Sequence, residues 1–269
     1  MDESTSPSEG PSPSAVQPPR RRFRRVPLRL LLPNIVTLLA LCLGLTAIRL
    51  AMDGLIEWAV IAIVGAAVLD GLDGRIARAL KGTSRFGAEL DSLADFVDFG
   101  VAPALVLFVA DLHAAKSFGW IVTLLFAIAC ALRLARFNVM LDDPDQPSWR
   151  KTFFVGMPAP AGAIVVLLPI YIRFALDLGS TSPRVALIES VYVVAVAFLM
   201  ASRVPHFSGK SIGRVPREYL TVFLVGVAAM LLLVFVFPME TLIAVTLAYL
   251  ASIPFAVRRY RAHDLGGVT

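Results

Sequence analysis

Four aspartates in one short stretch, Asp70, Asp73, Asp91 and Asp95, are the residues whose types and spacing most directly suggest chemistry. Within a helix, residues three or four positions apart lie on the same face, so each neighbouring pair would point the same way. Carboxylates are the ligands that magnesium and manganese favour. Two such ions about 3.5–4 Å apart promote displacement reactions at phosphorus. The spacing therefore predicts a divalent metal site that acts on a phosphate.

Two helices joined by a tight turn must position these acids. Gly82 and the Thr83-Ser84 pair interrupt the helical pattern, and we expect Thr83 or Ser84 to be the N-cap of the second helix. In an antiparallel pair, the outer two aspartates lie level with each other, as do the inner two, and all four point into one small volume. Hydrophobic runs flank both helices. A charged acid at the bilayer centre costs about 2.5–3.5 kcal/mol on insertion scales, which favours neutralisation by bound cations.

The composition is that of an integral membrane protein. The chain has 269 residues, of which 57% are hydrophobic and 17% charged. The sequence predicts an all-α, polytopic membrane helix bundle. Its eight candidate spans are 33–52, 56–80, 85–110, 117–140, 156–176, 184–204, 218–237 and 239–258.

Basic residues predict the orientation of the bundle. They concentrate at the N terminus, between the second and third spans, after the fourth and sixth spans, and after the last span. We therefore expect both termini and the aspartate turn to face the cytoplasm, in a cell (inner) membrane. This distribution accounts for the net charge of +5 without a nucleic-acid partner.

Composition also divides the chain into segments. The expected segments are a disordered Ser/Pro-rich tail (1–19), a basic juxtamembrane segment (20–32), a core (33–215), a C-terminal transmembrane hairpin (216–260) and a short tail (261–269).

Three readings of the aspartates remain open at this point: a phosphotransfer enzyme, a divalent-cation or proton-coupled transporter, and a charged, solvated helix pair. The flanking hydrophobic runs disfavour the solvated pair. The absence of an inverted pair of Gly/Pro-broken segments weakens the transporter.

The motif adds a resemblance to these arguments. The pattern D-x2-D-G-x2-A-R-x8-G-x3-D-x3-D resembles the signature of the CDP-alcohol phosphotransferase family, and its fixed positions are filled by Asp70, Asp73, Gly74, Ala77, Arg78, Gly87, Asp91 and Asp95. Within that family, five further segments resemble the bacterial and archaeal integral-membrane phosphatidylserine synthases. They are LPNIVT (32–37), DSLADFVDFGVAPA (91–104), ALRLARFNV (131–139), FVGMPAPAGA (154–163) and MASRVPHFSGK (200–210).

The resemblance implies a reaction. The donor would be CDP-diacylglycerol, the leaving group CMP, and the acceptor the hydroxyl of L-serine. Glycerol 3-phosphate, inositol phosphate and choline are acceptors of relatives with the same motif, so the acceptor stays open. The resemblance also implies two divalent metal ions, magnesium or manganese, a homodimer, and an active site at the cytoplasmic end of the second and third helices.

It further implies roles for the motif residues. Asp70, Asp73 and Asp91 would hold the metal, and Asp95 would be both a metal ligand and the general base for the serine hydroxyl.

The nucleotide would be held by five residues: Gly74 leaves room for the cytidine, Arg78 and Ser84 contact the phosphates, and Asn34 and Thr37 border the nucleotide.

Arg133, Arg136 and Asn138 are candidates for the serine carboxylate, because a guanidinium can bind a planar carboxylate through two hydrogen bonds. The arginines could equally bind the second phosphate or lipid headgroups. Asp98 departs from the family pattern, in which a small polar residue such as serine is expected. It could tune the metal site or pair with an arginine.

Overall fold

The computed structural model describes residues 28–80, 84–141, 153–202, 205–207, 232–234 and 236–266. Most of these residues are helical, as the composition predicts. The helices in chain order are α1 (Leu28–Met52), α2 (Ile56–Ala79), α3 (Arg85–Phe96), α4 (Ala102–Ala110), α5 (Lys116–Leu141), α6 (Ala159–Val166), α7 (Leu168–Ala175), α8 (Pro183–Ala201) and α9 (Pro238–Gly266). A π turn (Val97–Val101) joins α3 to α4, and a 3₁₀ turn (Leu112–Ala115) precedes α5.

Several of these helices are long and apolar enough to cross a membrane. Among the described residues the qualifying segments are Leu31–Met52, Arg85–Ala110, Leu112–Met140, Pro183–Ala201 and Pro238–Phe255. The chain is therefore a multi-pass membrane protein with an all-α bundle. Helix α2 has the predicted boundaries but is less apolar, because it contains Glu57, Asp70 and Asp73.

The predicted span 156–176 is not one continuous helix. It is divided at Leu167 into α6 and α7, because Pro169 has no N–H to bond the carbonyl of Val165. The hydroxyl of Tyr192 donates to that carbonyl at 2.6 Å. Backbone groups inside a membrane need such replacement partners.

The predicted span 218–237 lies largely outside the described residues, and the segment 1–19 lies wholly outside them. The predicted tail 261–269 begins within α9, which continues to Gly266. The count of eight spans therefore stays a prediction.

Small side chains bring α1 and α2 together. Gly65 faces α1 so closely that a Cβ there would lie 3.2 Å from Leu43 Cδ1. The buried alanines of the two helices are Ala40, Ala47 and Ala51 on α1 and Ala59, Ala62 and Ala66 on α2. In lipid there is little hydrophobic driving force between helices, so membrane helices associate through close packing, which small residues permit.

The junction between α3 and α4 is a π turn because of Pro103. In a regular α-helix the proline ring would clash with the carbonyl four residues earlier, and a wider turn relieves that clash. Gly100 lies in this turn against α5, where a Cβ would come within 3.0 Å of Cys130 Cβ. The turn thus fixes α3 against α5 just beyond the aspartate-bearing segment.

A short antiparallel ladder adds two strands to the helical bundle. Strand β1 (Phe153–Val155) pairs with β2 (Pro205–Phe207), with Phe154 opposite His206. Sequence analysis did not predict it, because three residues are too few to show the alternation of a strand. The ladder ties the chain before α6 to the chain after α8.

Candidate active site

Three carboxylates meet at one end of the bundle. Asp70 from α2 and Asp91 and Asp95 from α3 can each place an oxygen within 4.8 Å of the other two. The carboxyl groups of Asp70 and Asp95 also lie within hydrogen-bonding reach of each other. The predicted antiparallel register, in which the outer two aspartates lie level, is confirmed by this contact.

The start of α3 fixes that register. Ser84 is the N-cap residue, and its hydroxyl accepts a hydrogen bond from the backbone N–H of Gly87 at 3.0 Å. This is one of the two cap residues that the sequence predicts. The turn itself, residues 81–83, lies outside the described residues.

Asp73 is not part of the three-carboxylate cluster. Its Oδ2 accepts a hydrogen bond of 2.6 Å from the hydroxyl of Thr37 on α1, and both residues are about 95% buried. A step of three residues turns a helix by about 300°, so Asp73 lies some 60° around α2 from Asp70 and faces α1. The expectation that all four acids occupy one small volume is met by three of them, and the fourth lies beside it.

A cavity of about 350 Å³ connects Asp73 with Asp91. It is bounded by α1, α2 and the start of α3. All five residues predicted for the nucleotide line it: Asn34, Thr37, Gly74, Arg78 and Ser84. The cavity therefore brings the predicted nucleotide residues beside the acids, with one guanidinium among them.

Two glycines of the motif have different surroundings in this cavity. A Cβ on Gly87 would come within 2.8 Å of Asn34 Oδ1, so the Asn34 side chain would have to shift. A Cβ on Gly74 would meet only Arg78 Nη1, at an ordinary 3.7 Å. Gly87 therefore makes room for a side chain that lines the cavity, whereas Gly74 leaves open space in the cavity.

Arg133 is a buried cation beside the cluster. It is about 91% buried on α5 and interacts electrostatically with Asp95 and Asp70, and with Tyr249 from α9. Its guanidinium also lies 5.7 Å from the ring centre of Phe137. One buried positive charge beside three carboxylates leaves a net negative site, which suits a divalent cation.

Arg136 and Asn138 have structural partners instead. Arg136 Nη1 donates to the carbonyl of Ala201 at 2.7 Å, which ties the end of α5 to the end of α8. Asn138 Nδ2 donates to the hydroxyl of Ser92 at 2.9 Å, which ties α5 to α3. Of the three residues predicted for the serine carboxylate, Arg133 is the one directed toward the acids.

Asp98 lies in the π turn and is about 99% buried. Its Oδ1 has no hydrogen-bond partner among the described residues. Gly44 on α1 makes room for it, since a Cβ on that glycine would overlap the carboxylate. It forms no ion pair with an arginine in the part of the chain that the structure describes.

The donor set of the cluster fits a divalent metal. Asp70, Asp91 and Asp95 offer carboxylate oxygens close enough to share an ion, and Asp91 also lines the neighbouring cavity.

Comparison with known proteins agrees with this geometry. The family model described as CDP-alcohol phosphatidyltransferase matches residues 30–201, which include the cluster, the cavity and Arg133. The chain belongs to this family. The resemblance carried by the aspartate motif is thereby confirmed.

Relatives within the family extend the similarity to most of the chain. A CDP-diacylglycerol–serine O-phosphatidyltransferase of Mycobacterium leprae is 41% identical over 242 residues, covering 90% of this chain and 79% of the relative. Proteins of the same name from Helicobacter pylori and Bacillus subtilis are 35% and 33% identical, covering 79% and 65% of this chain.

Sequence reasoning missed a second group of buried charges, Asp111, Arg173 and Glu189, at the other end of the bundle. A signal was present. Arg173 and Glu189 interrupt apolar segments, and an ionisable residue in a membrane span is a candidate functional residue by default.

Proposed function

We propose that this protein transfers the phosphatidyl group of CDP-diacylglycerol to the hydroxyl of L-serine, giving phosphatidylserine and CMP. The supporting observation is the three-carboxylate cluster beside a cavity lined by the motif's nucleotide residues. The choice of serine rests on the relatives, which are named for that acceptor.

In this proposal Asp70, Asp91 and Asp95 would hold a divalent metal, magnesium or manganese, and Asp73 would be a ligand of a second ion. When bound, the metal would supply charge neutralisation for the diphosphate and the CMP leaving group. The Thr37 hydroxyl, hydrogen-bonded to Asp73, fixes the orientation of that carboxylate.

The nucleotide half of the donor occupies the 350 Å³ cavity. Arg78 provides a guanidinium for the phosphates, and Ser84 and Asn34 provide a hydroxyl and an amide at the opposite wall. Gly74 leaves open space on α2, where a flat base can approach the helix backbone. The lipid half then extends sideways into the bilayer.

Asp95 serves as the general base. Arg133 interacts electrostatically with its carboxylate, and a bound divalent cation would favour the ionised form that a base requires. The serine oxygen forms a bond to the phosphorus that bears the diacylglycerol, while the bond from that phosphorus to the CMP oxygen breaks. The proton of the serine hydroxyl passes to Asp95.

Arg133 is the proposed partner of the serine carboxylate. It lies on the same side as Asp95 and its guanidinium has no ion pair among the described residues. A bound amino acid would then present its hydroxyl toward Asp95. Arg136 and Asn138 are proposed to position α5 rather than to contact serine.

We further propose the topology and assembly that the sequence predicts. The active site and both termini face the cytoplasm of the inner membrane, where nucleotide and serine are found, and two copies form a homodimer. The segments 20–32, 33–215 and 216–260 are proposed as juxtamembrane segment, catalytic core and C-terminal hairpin.

Incorporation of labelled serine into lipid tests the proposal. Protein in liposomes that contain CDP-diacylglycerol and Mn²⁺ should form labelled phosphatidylserine. Asp91→Asn should abolish most of this product, whereas Asp53→Asn, the same change at an exposed site paired with Arg49, should not. A divalent-cation transporter would instead move metal across the liposome without a nucleotide lipid, and that result would refute the enzyme.

A further inference from the structure

A second polar cluster lies at the end of the bundle opposite the aspartates. Asp111 follows α4, about 24 Å along the helix direction from Asp95 at 1.5 Å per residue. Its Oδ1 is 2.9 Å from Arg173 Nε on α7 and accepts a 2.5 Å hydrogen bond from the hydroxyl of Thr181. Asp111 is fully buried. These contacts join three segments of the chain that are distant in sequence.

Groups in this cluster are left without partners. Among the described residues, Asp111 Oδ2, Arg173 Nη2 and Glu189 Oε2 are buried atoms with no hydrogen bond. Glu189 lies two turns into α8 and is about 91% buried. An unpaired buried charge is far more costly than a paired one, so these atoms point to a missing partner.

Two residues with unpartnered atoms, Arg173 and Glu189, line a cavity. Its volume is about 490 Å³, larger than the cavity beside the aspartates. Arg173, Glu189 and Thr181 line its polar side, and apolar side chains such as Leu168, Ile172 and Val185 line the remainder. A molecule that fits must combine a small charged group with an apolar body.

The unpartnered atoms indicate which groups that molecule carries. Glu189 Oε2 needs a hydrogen-bond donor, and Arg173 Nη2 needs an acceptor. A protonated primary amine together with a phosphate provides both.

We propose that this cavity binds an aminophospholipid from the membrane leaflet opposite the active site. The ammonium group donates to Glu189 Oε2, the phosphate accepts from Arg173 Nη2, and the acyl chains lie along the apolar wall. The site is separate from the aspartate cluster and takes no part in phosphatidyl transfer.

Lipid retention by the purified full-length protein tests this site. The protein is incubated with phosphatidylethanolamine, phosphatidylcholine and phosphatidylglycerol of the same acyl chains, and retained lipid is counted by native mass spectrometry. Phosphatidylcholine has the same positive charge but no N–H to donate, and phosphatidylglycerol has no amine. Wild-type protein should retain phosphatidylethanolamine above both.

Three variants locate the binding. Glu189→Gln should reduce retention of phosphatidylethanolamine at least about tenfold, because the neutral amide oxygen accepts from the ammonium group more weakly than a carboxylate does. Val185→Phe should have a similar effect by filling the cavity without changing any charge. Glu240→Gln, the same change at an exposed residue at the start of α9, should retain the lipid as wild type does. CMP release should stay within about twofold in all three.

Equal retention of phosphatidylethanolamine and phosphatidylcholine by wild type would overturn the proposal, as would wild-type retention by Glu189→Gln. If Glu189→Gln does not fold, as judged by lost CMP release, Val185→Phe decides: undiminished retention in that variant refutes the site.

Discussion

The hydrogen bond between Thr37 and Asp73 provides a sharp test of how the acids are held. Thr37→Val replaces the hydroxyl by a methyl group of similar size, so the packing between α1 and α2 is preserved. What is lost is the 2.6 Å hydrogen bond to Asp73 Oδ2, between two residues that are about 95% buried, together with a 3.1 Å contact to the Pro33 carbonyl one turn earlier.

The size of the effect follows from that burial. A hydrogen bond to a charged group contributes about 1.5–3 kcal/mol. Removing a residue that orients a metal ligand typically lowers metal affinity by about 10–100-fold. We therefore expect Thr37→Val to raise the Mn²⁺ concentration for half-maximal CMP release at least about tenfold. The rate at saturating metal should change much less.

The assay is a titration of CMP release with Mn²⁺ at fixed CDP-diacylglycerol and serine. Thr46→Val is the matched control, because Thr46 lies on the same helix and its hydroxyl donates to the Cys42 carbonyl at 2.6 Å, away from any acid. Thr37→Ser should restore the wild-type metal dependence. An unchanged Mn²⁺ titration in Thr37→Val would show that the Thr37 hydroxyl does not orient Asp73 for metal binding.

Three further predictions follow from the cavity, the arginines and the topology. Gly74→Val should fold but raise the KM for CDP-diacylglycerol more than about tenfold. Gly71→Val, on open helix surface, should leave that KM unchanged. Equal effects of the two substitutions would refute the assignment of Gly74 to the nucleotide site. Arg133→Ala should raise the KM for serine more than the KM for CDP-diacylglycerol. Arg136→Ala loses the hydrogen bond to the Ala201 carbonyl, so it should lower the melting temperature with little change in either KM. The reverse pattern would show that Arg136 binds serine and that Arg133 is structural. Single cysteines placed in the two terminal segments should be unreactive toward an impermeant reagent outside right-side-out vesicles, and labelling of either from outside would contradict the orientation.

Part of the metal cluster could be predicted from sequence because it is local. Asp91 and Asp95 are one turn apart, and Ser84 sets the start of their helix, so both face the same way. The position of Asp70 beside them also depends on α1 and α5, against which α3 packs. The nucleotide residues were predicted through the family resemblance, and all of them line one cavity.

What sequence reasoning missed depends on helices that are remote in the chain. The partner of Asp73 is Thr37, whose approach depends on how α1 packs on α2. The bond from Arg136 to the Ala201 carbonyl likewise requires the end of α8 to lie beside α5. Helical periodicity predicts which face a residue occupies, but not which neighbour that face meets.

The division of the span 156–176 shows a similar limit. Pro169 was visible in the sequence, but a proline can kink a membrane helix or divide it. Here the Tyr192 hydroxyl on α8 donates a hydrogen bond to the Val165 carbonyl, and this long-range partner accommodates the interruption at Leu167.

The central claim is transfer to serine with Asp95 as base, and CMP release tests it most directly. Purified protein with CDP-diacylglycerol and Mn²⁺ is supplied in turn with L-serine, glycerol 3-phosphate and inositol phosphate. We predict robust release with serine alone, and a loss of at least about 10²-fold in Asp95→Asn, because a positioned general base contributes about 10²–10⁴-fold. Release with another acceptor and none with serine would contradict the assigned substrate, and retained turnover in Asp95→Asn would contradict the mechanism.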